Sequence, residues 1–350
     1  MNKDICLKIL TIGCAYKPPR GGIAQVLSNY DHLLFAPFKF VRNSADGNKL
    51  TKVWVMVWGL VETFFRLLFD RKIKVVHIHT ASRNSFRRSA VYMRLAKFMN
   101  RKVVMHIHGG GFKDYYNGHK AFVDDVLPKC DCIVALSQDW ASYFAEELHC
   151  PNVQVVNNVI ESPVHLSLER GEMIHLLFLG LINEKKGVFD MLKLLAEKKD
   201  QYRGRLIFHV AGNGETERLR QEIDNLGIAE MVRFEGWASG EKKQLLLNQC
   251  DVFVLPSYIE GLPLSVLEAM TYSKAVIASR VGGIPSIVHE GENGILIEPG
   301  DMEAMGDAIN RFLDDPSLLS TFGASSYRLA QPFLKEEVER QLIKCYQTIL

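Results

Sequence analysis

The sequence predicts an α/β protein of two doubly wound units in series, and three observations carry the prediction. Short β-branched runs alternate with longer amphipathic stretches from end to end, the pattern of parallel strands covered by helices. The alternation runs through twice, with a polar, turn-prone stretch at residues 157–171 (Asn-Asn, Ser-Pro, then Glu-Arg-Gly-Glu) between the two passes. A length of 350 residues is too great for one ordinary core and suits two domains of common size.

The expected domains are residues 1–160 and 161–330, with a terminal helix in 331–350 packing back on the first. In the first, strands are expected at 5–12, 75–79, 102–108, 132–136 and 153–156, with helices such as 22–35, 85–99 and 138–148 between them. In the second, strands are expected at 174–179, 205–211, 232–234, 252–255, 275–278 and 294–297, with helices at 188–198, 215–226, 240–248 and 265–272. Ligands of doubly wound sheets bind beyond the carboxyl ends of the strands, so two Rossmann-like domains in tandem place those ends across a shared cleft.

Bulk properties narrow the function. A net charge of +2 argues against wholesale nucleic-acid binding. Seven scattered cysteines, odd in number and mostly in apolar runs, read as buried thiols in a reducing cytoplasm and not as a disulfide framework or zinc site. The amino terminus runs into a strand-like segment and shows no signal-peptide apolar region. The longest apolar run, 53–61, is followed by Glu62, Arg66 and Asp70. It falls short of the ~20 apolar residues that span a bilayer. A cytoplasmic chain is expected, with contact at the inner membrane face left open.

The most informative segment is Pro256-Ser-Tyr-Ile-Glu260-Gly-Leu-Pro-Leu-Ser-Val-Leu-Glu268-Ala-Met. It leaves an expected strand, crosses a Gly/Pro loop carrying Glu260 and enters a helix carrying Glu268. Ionised carboxylates are strong acceptors for sugar and ribose hydroxyls. The backbone N–H groups from Gly261, Leu262, Pro263's neighbours Leu264 and Ser265, and Val266 open the helix, where an anion such as phosphate binds. By themselves, two glutamates near a helix start are also a solvated or capping pair.

This segment closely resembles the signature of the family 4 glycosyltransferases of the GT-B fold. Four further matches lie in the family's order and spacing over residues 174–313. They are Gly180-Leu-Ile-Asn-Glu-Lys-Lys186-Gly187, Ala211-Gly212-Asn-Gly214-Glu215, Ala278-Ser279-x-Val-Gly282-Gly283-Ile-Pro285 and Gly294-Ile-Leu-Ile-Glu-Pro-Gly-Asp301. The resemblance implies a retaining enzyme that moves a sugar from a nucleotide donor, most often a UDP-sugar, with no cofactor and no divalent metal. By that resemblance Glu260 holds the transferred sugar and steadies its developing positive charge. Glu268 accepts from the ribose, Lys186 neutralises the diphosphate, and Gly180, Gly212, Gly214, Gly261, Leu262, Pro263, Leu264 and Ser265 line the donor. Two departures stand out: Leu181 occupies the position where the family usually has Arg, and Ser286 one where it has Glu.

In the first domain, Pro18-Pro19-Arg20-Gly21-Gly22 follows the first strand and opens a helix, so glycine backbone N–H groups can meet an anion. The resemblance puts Gly21 and Gly22 beside the donor phosphates. His106-Ile-His108-Gly ends another strand with both histidines on one face. It resembles the strand-end His-Gly whose histidine, here His108, contacts the donor sugar. His77-x-His79 in the strand before is similar and less diagnostic, and no carboxylate or cysteine joins it at metal-ligand spacing. No D-x-D metal motif is present.

Residues 48–74 set Trp54, Val57, Trp58, Val61, Phe65 and Leu68 at helical spacing, with basic residues near both ends. The first reading is a core helix of the first domain. The second is contact with an anionic membrane or a lipid-linked acceptor. Arg83, Arg87 and Arg88 follow a strand and suit an acceptor diphosphate or a solvated helix start. The expected function is sugar transfer to a glycan or lipid-diphosphate acceptor in surface polysaccharide assembly. A non-catalytic nucleotide-sugar-binding protein and a sugar-nucleotide epimerase are the alternatives.

Overall fold

The computed structural model describes every residue except Arg20, Asp46 and residues 167–170. Part of the turn-prone 157–171 stretch therefore lies outside the described residues, as does Arg20 of the first glycine loop. The chain forms two compact units, Met1–Glu161 with Pro332–Leu350, and Ser162–Gln331.

Each unit is built on a six-stranded, all-parallel sheet. In the first, β1 (Ile9–Cys14), β2 (Phe40–Ser44), β3 (Val75–Thr80), β4 (Lys102–Ile107), β5 (Cys132–Ala135) and β6 (Val153–Val155) lie in the order β2-β1-β3-β4-β5-β6. In the second, β7 (Ile174–Leu179), β8 (Leu206–Ala211), β9 (Val232–Gly236), β10 (Val252–Leu255), β11 (Ala275–Ser279) and β12 (Gly294–Ile297) lie in the order β12-β11-β10-β7-β8-β9. Central strands such as β3, β5, β10 and β11 are buried along their whole length. Helices on both faces leave no wet side, which is why they read as continuous apolar runs.

The structure corrects three expectations. The first strand starts at Ile9, because Lys3–Lys8 is a helical turn. Asn2 caps it by accepting from the Asp4 N–H, and Asp4 and Lys8 sit at the ends the helix dipole favours. The strand β2 went unread because Phe-Val-Arg-Asn-Ser is short and polar. It is an edge strand that buries Val41 and Asn43 and exposes Arg42.

The third correction is the helix Lys49–Phe69, which is not a core helix on its most apolar side. Asn48 starts it by accepting from the Thr51 N–H. Its buried residues are Val55, Gly59, Thr63 and Leu67, a stripe at four-residue spacing. An added Cβ at Gly59 would lie 2.4 Å from the Tyr92 hydroxyl and 2.5 Å from the Arg42 carbonyl, so glycine lets the helix sit close. At 100° per residue the opposite side carries Leu50, Trp54, Val57, Trp58, Val61, Phe65 and Leu68. All are exposed, Trp54 by 68% and Trp58 by 62%. Helical spacing reports that a face is apolar, not that the rest of the chain covers it.

The helix Lys335–Gln347 belongs to the first unit. Ile160 pairs with Leu334, the Asn157 N–H donates to Gln341, and Tyr346 reaches His77 of β3.

Candidate functional site

In the second unit the chain builds β7, β8 and β9 outward, then returns to the other side of β7 for β10. The loops after β7 and β10 therefore part at a topological switch point, where open α/β sheets bind ligands. Residues 180–187 and 256–264 are those loops.

The β7 loop is pinned locally. Asn183 Oδ1 accepts from the Lys186 N–H at 3.1 Å, and Gly187 turns the chain at φ +70°. A Cβ there would lie 2.0 Å from the Pro256 carbonyl oxygen, so only glycine lets the two loops touch. The result brings Lys186 to Glu260: Nζ donates to Oε1 at 2.5 Å, and Ser257 Oγ donates to the same oxygen at 2.8 Å. Glu260's side chain is only 8% exposed, so this is a near-buried charge pair at the mouth of the sheet. Glu268, in the helix Leu264–Thr271, accepts from Lys243 Nζ at 2.7 Å. Pro263 precedes that helix without capping it by a side chain, which leaves the N–H groups of Leu264, Ser265 and Val266 outside the helical ladder. Gly261 and Leu262 lie between, and Gly261's carbonyl accepts from the Gly283 N–H at 2.6 Å.

Gly180 follows β7, as Gly212 and Gly214 follow β8. A Cβ on Gly212 would lie 1.8 Å from the Gly180 carbonyl, and one on Gly214, at φ +115°, 2.4 Å from the Ile182 carbonyl. Backbone-on-backbone packing alone demands these two glycines. Leu181 is 47% exposed, with its Cδ1 3.1 Å from where a Cβ on Gly214 would lie. Sequence reasoning missed Ser257 and Lys243. The first sits inside the quoted motif, and the second gave no sequence signal.

The first unit has its own switch point, between β1 and β3. Gly21, at φ +99°, and Gly22 meet nothing within 4 Å of an added Cβ, so neither is required by packing. Gly22 opens the helix Gly22–Asn29, whose start has no side-chain cap. Beside this loop lies a cavity of about 590 Å³ lined by Lys17, Lys52, Arg83 and Arg88. Arg88 is half-buried, its Nε has no hydrogen-bond partner among the described residues, and burial lowers its pKa. Arg87 is exposed and is not part of the lining.

At the ends of β3 and β4 four imidazoles stack. His79 Nδ1 lies 2.9 Å from His108 Nε2, and His77 Nε2 lies 3.3 Å from His106 Nδ1. His77 Nδ1 lies 2.7 Å from the Tyr346 hydroxyl. Burial lowers all four pKa values, to about 3 at His77 and His108, so all are neutral at physiological pH. Only His108 keeps an edge in solvent. His77, His79 and His106 each offer a ligand atom within 4.8 Å of the others, and no carboxylate or thiol among the described residues joins that group. An ion there would be buried without a counter-charge, which is costly.

Comparison with known proteins agrees with this layout. A family model described as "Glycosyl transferases group 1" matches residues 167–328, and one described as "Glycosyltransferase Family 4" matches residues 29–162. A D-inositol 3-phosphate glycosyltransferase of Streptomyces griseus is 32% identical over 166 residues, covering 45% of this chain and 35% of that protein. A putative colanic acid biosynthesis glycosyltransferase, WcaL of Salmonella typhimurium, is 26% identical over 236 residues, covering 63% of this chain and 57% of that protein. The matches thus span about a third to just over half of these relatives. Among solved structures, sucrose-phosphate synthase from Thermosynechococcus elongatus has a TM-score of 0.77 at 20% identity, covering 97% of this chain and 98% of that one. Anabaena HepE, in complex with UDP and glucose, has a TM-score of 0.75 at 17% identity, covering 97% of this chain and 99% of that one. At such identities these structures speak to the fold alone. With two models in series along its length and two parallel Rossmann-like units, the chain belongs to the family 4 glycosyltransferases, group 1, of the GT-B fold.

Proposed function

We propose that the chain is a retaining, metal-independent hexosyltransferase that moves a sugar from a UDP-sugar to a lipid-diphosphate-linked or free glycan acceptor in surface polysaccharide assembly. The single observation that carries this is the Lys186–Glu260 pair at the switch point of the second unit, beside an uncapped helix start. It supplies a cation for a diphosphate and a carboxylate for sugar hydroxyls from adjoining loops. Glu260 Oε1 is held by Lys186 and Ser257, so Oε2 is the oxygen that faces a sugar. Glu268 takes the ribose, exchanging its bond to Lys243. His108 meets the donor sugar, and Gly21 and Gly22 present N–H groups to the phosphates.

In the transfer, the acceptor oxygen bonds to the anomeric carbon on the face from which the phosphate oxygen departs. The leaving phosphate takes the acceptor's proton, and nucleoside diphosphate is released. Lys186 and the N–H groups of Leu264 and Ser265 carry the charge that a metal would otherwise carry. The HepE structures hold UDP and UDP-glucose, and a UDP-sugar is proposed here by analogy with them.

On the acceptor side, Arg83, Arg88, Lys17 and Lys52 suit a diphosphate. An apolar groove of about 570 Å³, lined by Leu60, Phe64, Leu95 and Phe98 among others, runs beside the exposed face of the helix Lys49–Phe69. That face, flanked by exposed Lys49, Lys52, Arg71 and Lys72, suits the headgroup region of an anionic bilayer. No helix among the described residues is long and apolar enough to cross a membrane.

The test is a thermal-shift and hydrolysis screen against UDP-, GDP-, ADP- and CMP-sugars, with and without EDTA, on the wild type and Glu260→Ala. Stabilisation and hydrolysis by one UDP-sugar, unchanged by EDTA and lost in Glu260→Ala, supports the reading. Near-normal turnover in the variant, or inhibition by EDTA, refutes it.

A further inference from the structure

Three facts about the imidazole stack constrain its protons. First, each of the four histidines is neutral and so carries one N–H. Second, the contacts run in pairs, His79 Nδ1 to His108 Nε2 and His106 Nδ1 to His77 Nε2. Third, His79 Nε2 and His106 Nε2 are buried with no hydrogen-bond partner among the described residues. Nitrogens this deep, on side chains 2% and 0% exposed, have no water to turn to.

Each pair shares one proton, and two arrangements are open. If His108 donates from Nε2, His79 must accept at Nδ1 and carry its own proton on Nε2, as a buried N–H with no acceptor. If His79 donates from Nδ1, the unused atom is a lone pair instead. Buried orphan N–H groups are the rarer and costlier defect. The same reasoning gives His106 an Nδ1 proton donated to His77 Nε2, and His77 an Nδ1 proton donated to the Tyr346 hydroxyl oxygen. One tautomer, Nδ1–H, suits all four rings and leaves only lone pairs, at His79 Nε2 and His106 Nε2, without a partner among the described residues.

We infer that His79 is a positioning residue for His108. It donates to His108 Nε2, locks the ring, and thereby forces His108 to carry its proton on Nδ1, as a neutral hydrogen-bond donor. His108 is then fixed as a donor to an oxygen of its ligand and is unable to act there as a base. The ligand class follows: a sugar hydroxyl or phosphate oxygen, which accepts. This rests on the role given to His108 above, while the tautomer itself stands on the hydrogen-bond geometry of a stack whose burial keeps its rings neutral.

The experiment is long-range proton–nitrogen correlation NMR on the full chain labelled with nitrogen-15 histidine, without donor, followed by kinetics. The wild type should show His108 as the Nδ1–H tautomer. His79→Phe, which fills the ring's space and cannot donate, should release His108 to a mixture of tautomers. His79→Asn, whose amide N–H falls near the old Nδ1, should restore the Nδ1–H form. Turnover should fall roughly tenfold to a hundredfold in His79→Phe, by analogy with metal-ligating histidines deprived of an orienting partner, and recover in His79→Asn. Finding His108 as Nε2–H in the wild type overturns the inference, whether or not the variants fold. If instead the tautomer is as expected but His108→Ala transfers sugar normally, the inference stands and the catalytic role of His108 falls.

Discussion

Replacing Lys186 by methionine separates two roles that the ion pair combines. The substitution keeps the side-chain length and removes only the ammonium. In the free protein it leaves Glu260, 8% exposed, with the Ser257 hydroxyl as its remaining side-chain donor among the described residues. Losing a charge-assisted bond to a near-buried carboxylate costs about 1.5–3 kcal/mol. For a unit of this size that is a drop of roughly 3–12 °C in Tm. If Lys186 also carries the diphosphate charge in the transition state, kcat falls ~10²–10³-fold as well. The double variant Lys186→Met/Glu260→Gln tells the two apart, because it removes the stranded charge but not the need for a cation. Melting by calorimetry should recover most of the lost Tm in the double variant. Loss of Tm without loss of turnover in Lys186→Met would show the lysine to be a counter-ion only. An unchanged Tm would refute the energetic reasoning altogether.

Glycine substitutions should divide by backbone approach. Gly212→Ala forces a Cβ to 1.8 Å from the Gly180 carbonyl and should destabilise by ~3 kcal/mol or more, read by denaturant unfolding, whereas Gly22→Ala meets open space and should leave stability unchanged. A donor-affinity loss in Gly22→Ala at full stability would then report on the phosphate loop itself. Stability should also depend on pH through His77, His79 and His106. Their folded pKa values lie below the unfolded value of about 6.5, falling to about 3 at His77, so the unfolded chain binds more protons as pH falls through about 6.5. The stabilisation is complete above pH ~6.5 and is lost as pH falls, by up to about 1.4 kcal/mol per histidine per pH unit. Tm measured from pH 7.5 to 5.5 should fall, and fall less steeply in His77→Phe; a flat profile would contradict the neutral stack. Finally, the wild type should co-sediment with vesicles containing anionic lipid and not with neutral ones at the same salt, whereas Trp54→Ser/Trp58→Ser should not bind. Equal binding of both proteins would remove the helix Lys49–Phe69 from the membrane reading.

Much of the fold was legible because parallel strands buried on both faces announce themselves as short, mainly apolar runs, as at β7, β10 and β12. The expected bounds of those three match the structure to the residue. The edge strand β2 was not legible, since its pairing with β1 supplies what its polar sequence does not. The loop positions of Lys186 and Glu260 followed from motif spacing after strands. Their 2.5 Å contact did not, because 74 residues separate them and only the strand order β10-β7 makes their loops neighbours. His106 and His108 shared a face by alternation alone. That His79 reaches His108 and Tyr346 reaches His77 depends on β3 and β4 pairing in register and on a helix from the far end of the chain. The exposed side of Lys49–Phe69 is the sharpest case. Sequence fixes the angular position of each apolar side chain on a helix, since 100° per residue is a local property. Which of those angles meets protein and which meets solvent is decided by the neighbours, and so only by tertiary structure.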